Sequence, residues 1–523
     1  MKTTNCDIAF VLRPSQFNEY VPFPEMALSA YLKQEGFRPR IVDANPLIRI
    51  PITIQDRLYR RYFDSVRSEI ARLRPRFLGL GAFTSDYDFV MHFSREIKEH
   101  FDLKIVVGNV HASIQPEDFI FEGSPVDIAV IGEGELTLSE VLKSGGNGNR
   151  LEGIDGICFY DQRLGRTVAT RKRKLIPDLS ILPIPAYSDI DMRFYTRPFK
   201  RIIGYAYHVA MPIFTGRGCP FRCRFCASNN VWGGSSIRQR PISSIVDEIR
   251  LLVDDYKVDA IFITDDTFTI DKKRVKEFCD SIKPFKLTWA AQTRVNLINE
   301  EMVKTMRESG CVQLTFGVES GSQRLLDLMQ KGCRIEDVRE AFRLCRKYKV
   351  RSLANMMFNL PEEDEEDVRL SYKIFKEIKP DEFGLGLTVA YPGTQIYEKY
   401  FPEKLRKDEY YLLAEARGFG KGRFRLSRHQ MDLERLLVDF RTDLSIQHLF
   451  PLFIRLLFSR DYWKMIRKSH YKRQYLVAII KGLPVGLMRI GGTVTLNILK
   501  LFPAQWKTRL IKLATEYGKK YGN

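Results

Sequence analysis

Residues 215–229 read TGRGCPFRCRFCASN, from Thr215 to Asn229, and set Cys219, Cys223 and Cys226 in a C-x-x-x-C-x-x-C spacing directly after an apolar run. Three thiolates within eight residues make a metal site. A cubane 4Fe-4S cluster normally takes four cysteine ligands, so three from one loop leave one iron open to a non-protein ligand. Gly216 and Gly218 free the backbone ahead of the first thiolate, and Pro220 stiffens the turn after it. Phe225, between the last two cysteines, can cover the cluster or a ring stacked beside it. A zinc knuckle would need a fourth Cys or His nearby, which the stretch lacks; an adventitious cysteine cluster is the remaining bland reading.

With an aromatic before its last cysteine, the motif closely resembles that of the radical S-adenosylmethionine (SAM) enzymes, in which SAM chelates the open iron through its amino and carboxylate groups. The resemblance implies one-electron reduction of the cluster, cleavage of SAM, and a 5'-deoxyadenosyl radical that abstracts hydrogen from an unactivated carbon. It also implies an electron donor such as flavodoxin or ferredoxin.

Downstream of the loop, strand and helix alternate about six times over residues 206–400, with strands at MPIFT, DAIFITDD, LTWAAQTR, VQLTFGVES, SLANMMFNL and EFGLGLTVA. This spacing predicts a partial (β/α)6 barrel of parallel strands with function at the strand carboxyl ends. Those ends carry chemistry. Asp265 and Asp266 can meet the ammonium or ribose of SAM, or cap a helix. Arg294 can meet a carboxylate, or form a surface ion pair. Glu319 and Ser320, between Gly317 and Gly321, resemble the family's SAM-binding strand end, and Ala390 to Thr394 matches its Tyr-Pro-Gly-Thr turn. Asn359 departs from the family, which more often has glycine before Leu-Pro. Cys279, Cys311, Cys333 and Cys345 are widely spaced and read as core or surface thiols, not a second cluster.

Upstream, residues 1–145 again alternate short apolar strands with helices, which indicates a Rossmann-like doubly wound parallel sheet. Ligands in such sheets lie at the strand carboxyl ends, here the turn Thr84 to Asp86 with Thr84 and Ser85, the turn Gly108 to Ser113 with Gly108, Val110 and His111, and the turn Gly132 to Glu135 with Gly132, Glu133 and Gly134. No G-x-G-x-x-G with a following ribose acid appears, which disfavours a nicotinamide. The order P-x-P, VVGNVHAS and VIGEGE ahead of the cysteine motif resembles the cobalamin-binding domain of cobalamin-dependent radical SAM enzymes, of the anaerobic Mg-protoporphyrin ester cyclase and hopanoid methylase type. The resemblance implies that these turns hold cobalamin and that the chain is a C-methyltransferase, with cyclisation, coupling or oxidation as the other outcomes of the class. An Asp-x-His-x-x-Gly motif is missing, so the lower face of a bound corrin is expected to lack a histidine ligand. An iron-sulfur electron-transfer or sensor protein is the reading from a different class.

Residues 146–205 read as a linker with a hairpin, GICFYDQRLGRTVAT, and a proline-rich run, LSILPIPAY. Residues 401–523 read as a basic, helical C-terminal region. The net charge of +19 is concentrated there: residues 445–523 carry 15 Lys or Arg against Asp461 and Glu516. Its apolar segments are broken by Arg455, Lys481 and Arg489, which argues against a spanning helix. Basic amphipathic helices can lie on an anionic membrane surface or cap a barrel, so the tail points to a small, apolar or lipid-like substrate met at a membrane. Nucleic acid is disfavoured, because no binding module is recognised. Nine irregularly placed cysteines without a signal peptide indicate a reducing cytoplasm, with peripheral contact at the inner membrane face through the tail.

Overall fold

The computed structural model describes residues 6–13, 21–46, 57–196, 201–203, 206–232, 237–401, 405–413, 424–437 and 440, together with Trp463, Ile466, Arg467 and Arg473. Apart from those four residues, residues 445–523, which carry the concentrated basic charge, lie outside the described residues.

The first sheet contains β1 (Cys6–Val11), β2 (Pro39–Val42), β3 (Pro75–Gly81), β4 (Lys104–Gly108), β5 (Ile128–Val130), β6 (Ile157–Asp161) and β7 (Arg166–Ala169), in the order β2-β1-β3-β4-β5-β6-β7. Strands β2 to β5 pair in parallel, as the strand and helix alternation requires. The last two strands are the hairpin read from sequence as part of a linker. They run antiparallel and extend the sheet from β5.

Side-chain alternation explains why both faces are covered. Ile8, Phe10, Phe77 and Val106 point into one core, with Leu32, Leu138 and Val141 of the helices Phe23–Gln34 and Gly134–Ser144. Ala9, Val11, Leu78, Leu80, Ile105 and Val107 point into the other, with Tyr62, Phe63, Phe89 and Phe93 of the helices Arg57–Leu73 and Tyr87–His100. That second core continues through Leu325, Leu360, Ala390, Ile396 and Tyr397, so the two halves of the chain share one apolar interior.

Two short hairpins frame the entry to the second half: β8 (Arg201–Ile203) with β9 (Ala206–His208), and, after β10 (Ala210–Ile213), β11 (Gly216–Arg217) with β12 (Arg238–Gln239). Then follow β13 (Ala260–Ile263), β14 (Thr288–Thr293), β15 (Cys311–Glu319), β16 (Arg351–Phe358) and β17 (Glu382–Leu387). The second sheet runs β10-β13-β14-β15-β16-β17, all parallel, an open barrel of six strands.

Its helices begin where side chains can satisfy orphan amides. Asp271 accepts from Lys273 N and Arg274 N, Asn299 from Met302 N, and Asp364 from Asp367 N. The core between helices and sheet centres on Trp289, Phe278, Phe316 and Phe342. Cys279, Cys311 and Cys345 are buried in it, as the sequence reading places them. Among the described residues, no helix is long and apolar enough to cross a membrane.

Candidate functional site

The carboxyl ends of the two sheets face one cavity of about 330 Å³. Its walls come from the start of the helix Phe23–Gln34, through Glu25 and Leu28, and from three further stretches. The first sheet contributes Gly79 to Gly81, Gly108 to Val110 and Gly132 to Glu135; the proline-rich connector contributes Leu179, Leu182, Pro183 and Pro185; the second half contributes Phe214, Gly216 to Gly218, Trp232 and Thr264 to Asp266. A volume of about 300–1,000 Å³ with mostly apolar walls and few polar groups is typical of a cofactor or ligand site. At Gly108 and Gly132 an added Cβ would meet no atom within 4 Å, so the backbone there is open to close approach by a ligand.

The cysteine loop is held from several sides. Asp265 Oδ1 accepts from Thr215 N at 2.7 Å, and its Oδ2 accepts from the Thr215 hydroxyl. Arg224 N donates to Met329 O at 3.0 Å, and Ile396 N donates to Arg224 O at 3.2 Å. A turn closes the triad, with Cys226 N donating to Cys223 O at 3.0 Å. Cys223 is buried, Cys219 half-buried and Cys226 exposed, and all three are free thiols. Burial raises the half-buried Cys219 thiol above its ordinary value; such a thiol needs a cation's charge to become a ligand.

Among the described residues, no group of three His, Cys, Asp or Glu side chains closes tightly enough to hold a single metal ion. A tetrahedral zinc needs such closure. A cubane, whose irons bind separate thiolates, does not.

Arg294, at the end of β14, lies against the loop. Its guanidinium sits 3.6 Å from the centroid of the Phe221 ring, and Nη1 donates to Cys223 Sγ at 3.4 Å. Nη2 is buried without a partner, an unmet donor beside the thiols. A buried, unpartnered guanidinium nitrogen is costly and fits a carboxylate arriving with a ligand. Asp266 lines the cavity and accepts from Ser228 Oγ at 2.6 Å, while burial pushes the neighbouring Asp265 up to about 6.

Glu319 occupies a bulge. The register of β15 against β16 shifts between Gly317 and Glu319, and Glu319 has φ of +67°. Its carboxylate meets Lys331 Nζ at 2.8 Å. A Cβ on Gly317 would collide with this pair, so a larger residue there would push the Glu319 and Lys331 side-chain ends aside. Lys331 also lies 5.7 Å from the centroid of the half-buried Phe225 ring. Ser320 is engaged within the protein, accepting from Ser322 N at 3.1 Å and lying 3.3 Å from Ser371 Oγ.

Asn359 explains its own departure from glycine. It keeps a positive φ of 62°, and its buried amide donates to Phe424 O at 3.0 Å while accepting from Leu426 N at 2.9 Å. Asn359 N donates to Glu363 Oε2 at 2.7 Å. Burial raises the Glu363 carboxyl, partly offset by His429, whose Nε2 lies 3.3 Å from Oε2.

Of the first sheet's expected site residues, Gly108, Val110, Gly132, Glu133 and Gly134 line the cavity, whereas Thr84, Ser85 and His111 do not. His111 is buried, with Nδ1 3.1 Å from Thr84 Oγ1 and Nε2 3.2 Å from Asp118 Oδ2, edge-on to the rings of Phe119 and Tyr410. It belongs to the packing beneath the strand ends. Ser85 Oγ donates to Asp86 Oδ1 at 3.4 Å.

Several residues escaped the sequence reading. Glu25 lines the cavity beside Gly81, next to Asn109 of the expected turn Gly108 to Ser113. Arg217 and Arg238 form ion pairs with Glu133, and Arg217 also with Glu135 of the expected turn Gly132 to Glu135, while Lys331 pairs with Glu319. The one available signal was Arg217, a charge inside the cysteine loop.

Residues 213–374 match the radical SAM superfamily, and residues 18–142 match the B12 binding domain. An uncharacterized methyltransferase of Pyrococcus horikoshii is 31% identical over 341 residues, 64% of this chain and 72% of that protein. The anaerobic magnesium-protoporphyrin IX monomethyl ester cyclase of Rubrivivax gelatinosus is 27% identical over 347 residues, 64% of this chain and 60% of the cyclase. The solved structure of the radical SAM methyltransferase TsrM from Kitasatospora setae, with cobalamin and a [4Fe-4S] cluster bound, superposes with a TM-score of 0.63 at 19% identity, covering 77% of this chain and 79% of that one. The chain therefore belongs to the radical SAM superfamily, among its members with an N-terminal B12-binding domain, a family whose cofactors are a 4Fe-4S cluster, SAM and cobalamin.

Proposed function

We propose that this chain is a methyltransferase that transfers a methyl group to an unactivated carbon of a small-molecule substrate. The observation that carries the reading is a cavity walled on one side by the strand ends of the B12-binding domain and on the other by Gly216 to Gly218, directly before Cys219, and by Asp266, while the three cysteines and Arg294 lie just behind that wall and do not line it. Two cofactor sites that adjoin in this way can act on one substrate. The name of the Pyrococcus relative supports methyl transfer.

Cys219, Cys223 and Cys226 would hold the cluster. Arg294, through its unpartnered Nη2, would bind the carboxylate of SAM, and Asp266, the Glu319–Lys331 pair and Phe225 border the same strand ends. Gly108, Val110, Gly132 and Gly134 would let cobalamin approach the backbone, with Leu28, Leu182 and Pro183 excluding water around it. When bound, these groups supply an electron, a carbon radical and a methyl group, and the protein's part is to bind, orient and shield them. His111, held in its aromatic packing, does not line the cavity and would not serve as a ligand to cobalamin bound there.

An electron donor such as flavodoxin or ferredoxin would reduce the cluster. The composition of residues 445–523 favours an apolar substrate reached at an anionic membrane surface; liposome binding unchanged after truncation at residue 440 would remove that support. The cyclase relative favours ring closure as the second reading.

The test is anaerobic reconstitution with cobalamin and SAM, followed by mass spectrometry. S-adenosylhomocysteine alongside 5'-deoxyadenosine, with both lost in Cys223→Ala, is the expected result. Deoxyadenosine without S-adenosylhomocysteine would replace methyl transfer with the second reading, and retention of both products in Cys223→Ala would sink radical SAM chemistry at this site.

A further inference from the structure

A buried ion network joins the B12-binding domain to the cysteine loop. Arg217, two residues before Cys219, reaches between two acids that flank the start of the Gly134–Ser144 helix. Its Nη1 donates to Glu133 Oε1 at 2.7 Å and its Nη2 to Glu135 Oε1 at 2.5 Å. Arg238, which pairs with Arg217 across the β11–β12 hairpin, donates from Nη1 to both Glu133 oxygens at 2.8 Å and to Ile176 O at 2.9 Å. Ile176 N completes the set by donating to Glu133 Oε2 at 2.7 Å. Both acids are almost fully buried. Burial pushes the Glu133 carboxyl up, but the two guanidiniums outweigh it and hold the group below its ordinary range.

Two acids and two guanidiniums balance in charge, yet burying them costs about as much as it returns unless the geometry is strict. What such a network supplies is one fixed arrangement. A guanidinium is a rigid planar fork, so two carboxylates at the start of one helix, Glu133 at its N-cap and Glu135 in its first turn, set both the position and the tilt of Arg217. The peptide that follows, Gly218 with φ of +101°, leads straight into Cys219. On the other side, Gly132 and Gly134 interleave with Glu133 and Glu135 in the cavity wall. The Arg217 guanidinium also lies 5.9 Å from the centroid of the Trp232 ring, another wall residue.

We infer that Arg217, clamped by Glu133 and Glu135, is a positioning residue that fixes the separation between the cobalamin-facing turn Gly132–Glu135 and the cluster loop. This rests on the function proposed above. Arg217 lines the cavity, but its guanidinium is committed to Glu133 and Glu135, and through them it sets where the two halves of the cavity stand.

The test uses the full chain, reconstituted anaerobically with iron, sulfide and hydroxocobalamin, as wild type, Arg217→Met, Arg217→Lys and Glu135→Gln. Three quantities are read: iron per chain, affinity for hydroxocobalamin, and the magnetic coupling between cob(II)alamin and the reduced cluster in electron paramagnetic resonance, which reports their separation. Arg217→Met should keep its iron, because the three cysteines are untouched, but bind hydroxocobalamin about tenfold or more weakly, the loss typical of removing an orienting group. Its coupling should broaden or weaken. Arg217→Lys, able to reach one acid at a time, should fall between, and Glu135→Gln should match it; if Arg217→Met does not fold, Glu135→Gln decides. Variants with wild-type affinity and coupling would overturn the inference, as would iron, cobalamin and melting temperature falling together, which marks a merely structural role. A wild-type chain that takes up no cobalamin would overturn the proposed function and this inference with it.

Discussion

Replacing Glu248 by alanine should loosen the base of the cysteine loop. Glu248, fully buried on the helix Ile242–Asp254, accepts from Arg240 Nη1 at 2.5 Å and from the Tyr187 hydroxyl at 2.7 Å. Arg240 in turn donates from Nη1 to Phe214 O at 2.9 Å and from its backbone amide to Thr215 O at 2.9 Å, immediately before the cluster motif. Without Glu248 a buried guanidinium keeps only neutral acceptors, and the Tyr187 hydroxyl keeps none of its carboxylate. Removing one partner of a buried ion pair costs about 3–5 kcal/mol. Glu248→Gln, which retains one acceptor oxygen, should cost roughly 1–3 kcal/mol. The exposed pair Arg343–Glu340, about half accessible on both sides, is the contrast, and Glu340→Ala should cost about 0.5 kcal/mol or less.

A chain of this size does not unfold in two states, so a local readout is needed. Native-state hydrogen exchange of the Arg240 amide serves, and at about 1.4 kcal/mol per decade Glu248→Ala should speed it by two to three decades or more. Exchange within about threefold of wild type, well under 1 kcal/mol, would refute the reasoning, as would an equal effect from Glu340→Ala.

Asp265, raised by burial to about 6 from 3.8, takes up its proton in the folded chain well before it does so unfolded. Its contribution to stability therefore grows as pH falls through about 6 and is lost as pH rises again, by about 3 kcal/mol in all; protection of the Thr215 amide, which donates to Asp265, measured by native-state hydrogen exchange of the cofactor-free chain across this window, should lose that pH dependence in Asp265→Asn, and an unchanged slope contradicts the assignment. Asn359→Gly keeps the positive φ but removes the bonds to Phe424 and Leu426, so residues 424–437 should be cleaved faster in limited proteolysis, by the tenfold or so that about 1–2 kcal/mol implies; equal rates would deny the amide this role. In Gly321→Ala the new methyl would strike the Leu370 carbonyl and lie 2.6 Å from Ser371 Cα, backbone that cannot step aside, so native-state hydrogen exchange of the helix Glu365–Ile378 should speed by the equivalent of about 1–3 kcal/mol. A variant as stable as wild type would mean that the helix Glu365–Ile378 shifts freely.

The cysteine triad, the parallel sheets and most strand ends were legible in the sequence because each is a local pattern: a spacing of thiolates, or apolar runs between turns. Pairing between distant stretches was not. Nothing near His111 announces that Thr84, Asp118 and Tyr410 will enclose it, and its place beside a glycine turn imitates a ligand position. Glu133 sits in a turn that lines the cavity, yet its carboxylate is committed to Arg217 and Arg238, some eighty and a hundred residues away in sequence. Glu319 was found as an acid at a strand end, whereas its cation, Lys331, follows a helix later. The hairpin β6–β7 was recognised as a hairpin; that its edge would add to β5 depends on which strand the preceding sheet leaves open.

That hairpin and the prolines after it have a practical consequence for anyone exchanging parts between relatives of this chain. A crossover placed at residue 146, where the composition changes, would leave β5 as a bare edge and take Leu179, Leu182, Pro183 and Pro185 from the wrong parent. A crossover after Thr196 would transplant the first sheet complete with its antiparallel border and the cavity wall that was shaped against it. The module that travels intact is thus longer than the cofactor-binding fold it contains, and recombinant libraries cut at its apparent end would sample mostly broken cavities.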